Sequence, residues 1–344
     1  MKSGFAAVAF WGAALLFLVG ASARVHSGFE ENHLFQEDLF SCLGRCNRSG
    51  TVPNGCQCNS FCMQYNDCCP DYYTLCLDPG TAPITNAELE ALAEELYVLE
   101  ATNPNNVAGF VTWDLQGRTT QGSTVDLAPS PLLAVNPTAY TRGTVALLVA
   151  LHDNYNADVA VAETETAAET AEINAFLDAV LATPIMQQLQ TFLTSKGISL
   201  TREKFHEMWF GLYSRSGSTL GSSGLEHIFL AELKNGVSGF HNWVFFAKEE
   251  EAGRMNYRGW MEFLDLGPQG AIVQHNFMWR NANKPISSMF IGTSPEFEMA
   301  VYSACWLTRP DSTTCPMSFG NRKVPVTTWT IGSNKQFIAS AYAM

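Results

Sequence analysis

Basic residues are scarce in this sequence of 344 residues. It holds 20 Lys and Arg against 33 Asp and Glu, which gives a formal net charge of −13. The imbalance lies in residues 84–199, with fourteen acidic and three basic residues, whereas residues 200–344 hold twelve and thirteen. These counts exclude non-specific attraction to nucleic acid as the basis of function. A polyanionic ligand would be tolerated only by residues 200–344, through specific contacts.

Long hydrophobic runs are absent after the N-terminus. The first apolar run, residues 5–19, follows Lys2 and ends before Ala21-Ser22-Ala23, an A-x-A cleavage pattern. This arrangement is typical of a secretory signal peptide, which we assign to residues 1–23. The run is too short and too rich in Ala and Gly for a membrane anchor. We therefore expect a secreted protein that has no membrane partner.

Cysteine is nearly absent beyond residue 76, where only Cys305 and Cys315 occur. In a secreted protein such a pair is expected to form a disulfide. The other eight lie within 35 residues, at Cys42, Cys46, Cys56, Cys58, Cys62, Cys68, Cys69 and Cys76. So short a segment cannot bury enough apolar surface to order itself, so we predict a disulfide knot over residues 38–80. The spacing leaves the pairing of these eight open.

The knot also contains Asn47-Arg48-Ser49, a sequon that predicts a glycan on Asn47. A Pro- and Gly-rich linker follows at residues 79–83, and residues 84–344 are long enough for one large domain. We predict an α+β fold for it, with a helical N-terminal lobe and an antiparallel-sheet C-terminal lobe.

Apolar periodicity and capping residues predict helices in the first lobe. The expected segments are a helix capped by Asn86, residues 141–152, and residues 163–194 with a break at Pro184. The acidic residues at the start of the last segment are expected to form a solvated face; they are Glu163, Glu165, Glu169 and Glu172.

Alternating apolar residues and turn signals predict strands in the second lobe. Asn235-Gly236 is a strong hairpin signal between residues 227–233 and 237–246. A second hairpin is expected around residues 267–270. Further strands are predicted at 287–291, 324–331 and 337–342, and Thr293-Ser294-Pro295-Glu296 is expected to open a helix by capping.

Two histidines stand out because they lie in polar, Gly-rich surroundings at the edges of the first predicted hairpin. A pair such as His227 and His241 can supply a general base and a general acid near neutral pH. Lys284, expected on a loop made rigid by Pro285, could stabilise an anionic transition state. In a plain two-residue hairpin the two imidazoles would face opposite sides of the sheet. Bringing them together requires a bulge at Gly239, or His227 on a loop before the strand.

Other interpretations of the same residues are weaker. Both histidines could be ordinary sheet-edge residues with satisfied hydrogen bonds. A zinc site would need a third ligand, and the sequence has no H-x-x-x-H or C-x-x-C spacing. A serine hydrolase is disfavoured because residues 221–224 do not form a G-x-S-x-G elbow.

These residues lie in longer motifs that closely resemble the EndoU endoribonucleases. The matching segments are Gly224-Leu225-Glu226-His227-Ile228-Phe229, Gly239-Phe240-His241-Asn242-Trp243, Asn283-Lys284-Pro285 and Phe290-Ile291-Gly292-Thr293-Ser294-Pro295-Glu296-Phe297-Glu298. The resemblance covers residues 84–344. It implies an EndoU-like fold and a metal-stimulated endoribonuclease that cuts single-stranded RNA at uridines.

The resemblance also implies a mechanism and a role for each site residue. The ribose 2′-OH would attack the adjacent phosphorus and leave a 2′,3′-cyclic phosphate. His241 would act as the base, His227 as the acid and Lys284 as the charge stabiliser. Ser288 would contact uracil, and Tyr342 would stack on the base or ribose. The family positions matched by Glu226 and Glu232 are needed for activity, either as ligands of a stimulating Mn²⁺ ion or to orient His227.

The cysteine pattern of residues 38–80 resembles a somatomedin B domain. That resemblance implies an extracellular protein partner, and it supports an alternative function in which the chain is an extracellular binding or adhesion protein with an inert large domain. We expect the chain to act as a monomer. The three candidate residues of the large domain favour the enzyme over the alternative, because an inert domain has no physical reason to keep them.

Overall fold

The computed structural model describes residues 41–42, 45–46, 52–53, 55–59, 62, 67–72, 76, 84–215 and 217–344. The predicted signal peptide and the predicted glycan at Asn47 lie outside these residues. Within them, none of the helices has both the length and the apolar character needed to cross a lipid bilayer.

All eight cysteines of the knot are paired. The bonds are Cys42–Cys58, Cys46–Cys76, Cys56–Cys69 and Cys62–Cys68. Five of these cysteines are buried and form, together with Tyr72, a small core of their own. Disulfides therefore supply much of the interior that a segment of this length cannot build from aliphatic side chains.

Five α-helices lie within residues 84–210. They are α1 (Asn86–Glu100), α2 (Gly143–Ala150), α3 (Ala167–Leu181), α4 (Pro184–Ser195) and α5 (Arg202–Phe210). Sequence-local chemistry begins several of them: Thr85 and Glu88 form a capping box on α1, and Thr166 and Glu169 form one on α3. The prediction of Asn86 as the cap of α1 was wrong by one residue, because Thr85 is the residue that accepts from Glu88 N.

A short two-stranded sheet also lies in this part of the chain, formed by β1 (Val111–Trp113) and β2 (Leu133–Val135). Single turns of 3-10 helix occur at Ala108–Phe110, Pro137–Thr141 and Leu151–Asp153. The helical character predicted for this lobe is confirmed, with these short elements added to it.

The rest of the chain carries two three-stranded antiparallel sheets. Their strands are β5 (Met255–Asp265), β6 (Ala271–Trp279), β7 (Ala282–Ile291), β8 (Cys315–Phe319), β9 (Arg322–Ile331) and β10 (Phe337–Ala343). One sheet has the order β5-β6-β7, and the other has the order β10-β9-β8. A 3-10 turn, Gly267–Gln269, joins β5 to β6, which confirms the second predicted hairpin.

Helix α8 (Pro295–Thr308) lies at the centre of the domain. Thirteen of its fourteen residues are buried, and it packs against α1, α2, α4 and the β8–β10 sheet. Ser294 accepts from Phe297 N at its start, with Pro295 in the first turn, as the capping pattern predicts. The disulfide Cys305–Cys315 ties its last turns to β8 and confirms the predicted pair.

The first predicted hairpin is largely wrong. Asn235-Gly236 does form the turn, but the paired strands β3 (Glu232–Leu233) and β4 (Val237–Ser238) are only two residues long. The flanking segments are helices, α6 (Gly224–Phe229) and α7 (Trp243–Glu251). Apolar runs this short have no readable period, so tertiary contacts decide between strand and helix.

Candidate active site

His227 is placed by the short helix α6. Ser223 caps this helix, since its Oγ accepts a hydrogen bond from Glu226 N at 3.2 Å. At Gly224 the backbone runs close to its neighbours: a Cβ atom there would lie 3.1 Å from the carbonyl oxygens of both Ile338 and Met208. The helix is therefore fitted between α5 and β10, and the imidazole of His227 is almost completely buried.

The ring of His227 is oriented by Glu232. Its Nδ1 lies 2.7 Å from Glu232 Oε2, and the Glu232 carboxylate is fully buried. Arg215 Nε lies 2.9 Å from the same oxygen, and Ser222 Oγ donates to Oε1. With Nδ1 held as the donor to a carboxylate, Nε2 is the nitrogen left for proton transfer.

His241 is held beside His227 by backbone hydrogen bonds to α6. Phe240 N donates to His227 O at 2.8 Å, and His241 N donates to Ile228 O at 2.9 Å. This approach requires glycine at position 239, where φ is +66° and a Cβ atom would lie 1.8 Å from His227 O. The ring centroids of the two histidines are 6.1 Å apart.

The tautomer of His241 follows from its partners. Nδ1 lies 2.9 Å from the carbonyl oxygen of Ser288, which can only accept, so Nδ1 carries the hydrogen of the neutral ring. Ser287 Oγ is a further neighbour of Nδ1 at 3.3 Å. The lone pair of neutral His241 is thus on Nε2, as a general base requires. The two imidazoles are not forced onto opposite faces of a hairpin, because His227 lies in helix α6 and not in a strand.

Lys284 lies on β7, not on the predicted loop. It is opposite Phe277 of β6, next to a register shift in the pairing of the two strands. Burial lowers the pKa of Lys284 to about 8, and its charge contributes to lowering the pKa of both His227 and His241. The Lys284 ammonium therefore influences both imidazoles electrostatically.

Burial controls the charge of the two imidazoles. It lowers the pKa of His227 to about 4, although the Glu232 carboxylate favours the protonated ring. It lowers the pKa of His241 well below its ordinary value, and the neighbouring Lys284 and His227 act in the same direction. In the protein without substrate both rings are therefore neutral at pH 7.

Two predicted substrate contacts lie next to His241. Ser288 is buried on β7, and its Oγ has no hydrogen-bond partner among the residues that the structure describes. Tyr342 of β10 stacks on the His241 ring, with centroids 5.1 Å apart and planes 16° from parallel. An unpaired buried hydroxyl and a partly exposed aromatic ring beside an imidazole can recognise a base by hydrogen bonding and stacking.

Glu232 fits a metal ion poorly. Both oxygens of Glu232 are already hydrogen-bonded, to His227, Arg215 and Ser222. In the described part of the chain, the one cluster of three or more potential metal ligands is Cys42, Cys58 and Cys69, all of which are in disulfides. The geometry therefore gives Glu232 the role of orienting His227.

Sequence reasoning missed three residues that support the site. Arg215 contacts the Glu232 carboxylate and also donates to Tyr213 Oη and Ala339 O, so it joins a loop, β3 and β10. Ser222 is a further donor to Glu232. Glu163, expected on a solvated face, is half-buried against Glu226. Nothing in the local sequence marks these residues, because their roles depend on contacts between distant segments.

Comparison with known proteins decides the family. The Endoribonuclease XendoU family model matches residues 88–343, and the Somatomedin B domain model matches residues 40–79. The chain belongs to the XendoU endoribonuclease family. This XendoU-family chain is thus an endoribonuclease domain that follows a somatomedin B domain, as the motifs and the cysteine pattern indicated.

Curated relatives cover most of this XendoU-family chain. A uridylate-specific endoribonuclease of Mus musculus is 34% identical and spans 91% of this chain and 80% of its own length. One from Paralichthys olivaceus is 36% identical over 90% and 94% of the two chains. Uridylate-specific endoribonuclease D of Xenopus laevis is 38% identical over 76% and 90%.

A solved structure agrees with the sequence relatives. The XendoU structure, described as a splicing-independent snoRNA-processing endoribonuclease, superposes with a TM-score of 0.62 at 30% identity. It covers 75% of this chain and 96% of its own. The predicted combination of helices and antiparallel sheets is therefore confirmed, and the protein is an endoribonuclease.

Proposed function

We propose that the protein is a secreted endoribonuclease that cleaves single-stranded RNA at uridines by transesterification. The observation that carries this proposal is the arrangement of His227 and His241. Their ring centroids are 6.1 Å apart, and each Nδ1 is tied to a protein oxygen. Both Nε2 atoms are therefore available for proton transfer at one phosphodiester, one to the attacking ribose 2′-OH and the other to the departing 5′-oxygen.

In the first part of the step, Nε2 of His241 takes the proton of the ribose 2′-OH. The new bond joins the 2′-oxygen to phosphorus while the bond from phosphorus to the 5′-oxygen breaks. The proton on Nε2 of His227 passes to that departing 5′-oxygen. The products are a 2′,3′-cyclic phosphate and a 5′-hydroxyl, so no external nucleophile is needed. RNA is the required substrate because DNA lacks the 2′-OH.

Lys284 stabilises the additional negative charge on the non-bridging oxygens of phosphorus. His227 must be protonated to act as the acid, but its pKa is about 4 in the free protein. The RNA phosphate can supply the missing stabilisation of the charged ring. A bound phosphodiester anion favours the charged form of a neighbouring imidazole and so raises its pKa. Substrate binding would thus help to charge the acid that then protonates the leaving group.

Uridine selection is assigned to Ser288 and Tyr342. The unpaired Ser288 hydroxyl can hydrogen-bond to uracil, and the Tyr342 ring can stack on the base or ribose. Trp329 extends this surface: it lies on the face of β9 that carries Thr327, the strand partner of Tyr342, and it is 43% exposed. An exposed indole there can stack on a neighbouring nucleotide.

Two further expectations belong to this proposal. Secretion is supported by the five disulfides, which persist in oxidising compartments. Stimulation by Mn²⁺ is expected from screening of RNA phosphates against the acidic residues 84–199, without a step at the metal. Binding of an extracellular protein by the somatomedin B domain is a second activity that the large domain does not require.

Cleavage of an oligoribonucleotide with a single uridine tests the proposed function. We expect one cut at that uridine, with a 2′,3′-cyclic phosphate on one product by mass spectrometry. Replacing the nucleotide by 2′-deoxyuridine should abolish the cut. Cleavage of the deoxy substrate, or a first product with a linear 3′-phosphate, would rule out transesterification.

A further inference from the structure

The residue that follows His241 is fully buried and makes hydrogen bonds in two directions. Asn242 caps helix α7, since its Oδ1 accepts from Val244 N at 3.0 Å and from Phe245 N at 3.3 Å. Its side-chain nitrogen, Nδ2, donates to Glu298 Oε2 at 3.2 Å. The amide of Asn242 therefore connects the start of α7 to a carboxyl on the central helix α8.

The same carboxyl also holds the end of strand β7. Thr293 lies just after that strand, and its Oγ1 donates to Glu298 Oε1 at 2.8 Å. The carbonyl oxygen of Thr293 accepts from Trp243 Nε1 at 2.9 Å, so α7 and this end of β7 are joined a second time. Glu298 thus binds the residue after His241 with one oxygen and the residue after β7 with the other.

Strand β7 supplies the partner of the His241 ring. The Ser288 carbonyl accepts from His241 Nδ1 at 2.9 Å and so fixes the neutral tautomer. This hydrogen bond depends on where residue 241 lies relative to β7. Because Glu298 binds groups next to both segments, it fixes that relative position.

The surroundings of Glu298 suit a role inside the protein. Glu298, Asn242 and Thr293 are all fully buried, so none of them reaches the substrate. Burying a carboxyl is costly unless its oxygens are hydrogen-bonded, and a fully satisfied buried network makes its surroundings rigid. Burial raises the pKa of Glu298 well above its ordinary value, and the nearby Glu100 acts in the same direction. A neutral side chain of the same length can therefore take its place.

We propose that Glu298 is a positioning residue for the general base: its carboxyl fixes the segment around His241 against strand β7. The inference rests on the proposed role of His241 in RNA cleavage. The contact keeps His241 Nδ1 on the Ser288 carbonyl and leaves the lone pair on Nε2. Without it, the ring can move away from that carbonyl, and the other neutral tautomer becomes accessible.

The cleavage test compares Glu298→Ala and Glu298→Gln with the wild type. The Gln carbonyl can accept from Asn242, and the Gln amide can donate to Thr293 Oγ1. Glu298→Ala should lower kcat on a uridine oligoribonucleotide about tenfold or more, with little change in KM, because the base is displaced and substrate contacts are kept. Glu298→Gln should stay within about threefold of the wild type.

Glu296→Ala is the matched control. Glu296 is also a fully buried carboxyl in the first turn of α8, but it accepts from residues of the helical lobe, Asn103, Asn105 and Thr144. Both Ala variants should lower the unfolding temperature by about 5 °C or more, because each leaves buried donors without a partner. Only Glu298→Ala should also lower kcat.

Asn242→Ser removes the other half of the same contact. Serine can still cap α7, but it has no amide to donate to Glu298. Its kcat should fall as much as that of Glu298→Ala. The double variant should fall no further, because the two residues act through one hydrogen bond.

The tautomer of His241 gives a readout that does not depend on RNA cleavage. Long-range nitrogen–proton NMR spectra of protein labelled at the histidine nitrogens distinguish the two neutral tautomers. The His241 signals are assigned by their absence in His241→Gln. The wild type, Glu298→Gln and Glu296→Ala should carry the hydrogen on Nδ1, whereas Glu298→Ala should show a mixture of tautomers. If His241→Gln cleaves RNA at the wild-type rate, the proposed role of His241 fails, and the spectra still test the contact.

Two outcomes would overturn the inference. One is a His241 tautomer in Glu298→Ala that is the same as in the wild type, which would mean that the carboxyl does not hold the ring in place. The other is an equal loss of kcat in Glu298→Ala and Glu296→Ala. That result would assign the loss to general destabilisation of α8.

Discussion

At the scale of single residues, the chemistry of the site depends on which nitrogen of each imidazole is engaged. His227 Nδ1 is held by Glu232 and His241 Nδ1 by the Ser288 carbonyl. A carboxylate partner stabilises an imidazolium, whereas a carbonyl partner fixes the neutral tautomer without a countercharge. In the proposed mechanism this difference between the partners, more than the distance between the rings, distinguishes the acid from the base.

The pH dependence of cleavage should differ between the free and the substrate-bound enzyme. Burial lowers the pKa of both histidines in the free protein, to about 4 for His227. The proposed mechanism requires a neutral His241 and a protonated His227, so kcat/KM should decline as pH rises above the low pKa of His227. Because RNA phosphate raises the pKa of both histidines, the pH profile of kcat should be bell-shaped and should lie at higher pH than the profile of kcat/KM. Steady-state rates between about pH 4 and 9 check this, and a flat profile would indicate metal-bound hydroxide instead.

Lys284 should affect the cleavage rate on the alkaline side of the pH profile, separately from the two histidines. Its pKa is lowered to about 8 by burial, so its charge is lost at a lower pH than that of a lysine in water. Lys284→Gln should lower kcat by about 10²-fold, the effect of removing one charge-stabilising donor. Lys248→Gln, at a half-buried lysine of α7, is the control. Equal losses in both variants would show that Lys284 has no special role.

At the scale of secondary-structure elements, local chemistry predicts some parts of the fold well. Ser294 and Pro295 predict the start of α8, and Gly267 predicts the turn between β5 and β6. The residues around His227 were misjudged because α6 is six residues long and entirely buried, so its sequence looks the same as a buried strand. Its conformation is set by Gly224 against Ile338, a contact between residues far apart in sequence.

The same reasoning identifies Gly239 as the residue on which the pairing of the two histidines depends. Gly239→Ala adds a Cβ 1.8 Å from His227 O at a φ of +66°. Gly253 is a matched control, because its φ is +67° and a Cβ there meets nothing within 4 Å. Gly253→Ala should lose about 1–2 kcal/mol of unfolding free energy from backbone strain. Gly239→Ala should lose more, because the overlap with a backbone oxygen adds to the same strain.

Only Gly239→Ala should also displace His241 and lower kcat, by about 10²-fold or more. Urea unfolding of the two variants measures the loss of stability, and their cleavage rates show whether His241 has been displaced. Equal activity of the two would mean that the contact between Gly239 and α6 does not position His241.

At the scale of the whole molecule, the charge distribution limits how RNA can bind. The net charge is −13, and the residues that form the site come from the nearly neutral segment 200–344. Few phosphates can be neutralised, so log kcat/KM should depend weakly on log salt. Two phosphate contacts would give a slope of about −1.4 for a single strand. Rates measured between about 50 and 200 mM salt check this, and a slope beyond about −4 would reveal an extended basic RNA-binding surface.

At this scale, the sequence predicts some features of the molecule and not others. The cysteine pattern and the motifs around His227, His241 and Lys284 were enough to predict the domain types and the candidate catalytic residues. The four pairings in the knot were not predictable, nor was the Arg215 contact with Glu232. Both depend on how separate segments meet in space, which spacing along the chain does not encode.

The most direct measurement of the central claim uses an oligoribonucleotide whose scissile 5′-oxygen is replaced by sulfur. A thiolate leaves without protonation, because a thiol has a far lower pKa than an alcohol. If His227 is the acid and His241 the base, His227→Ala should cleave this substrate at nearly the wild-type rate. His241→Ala should remain about 10²-fold slower or more. Rescue of His241→Ala, or of neither variant, would contradict the assignment.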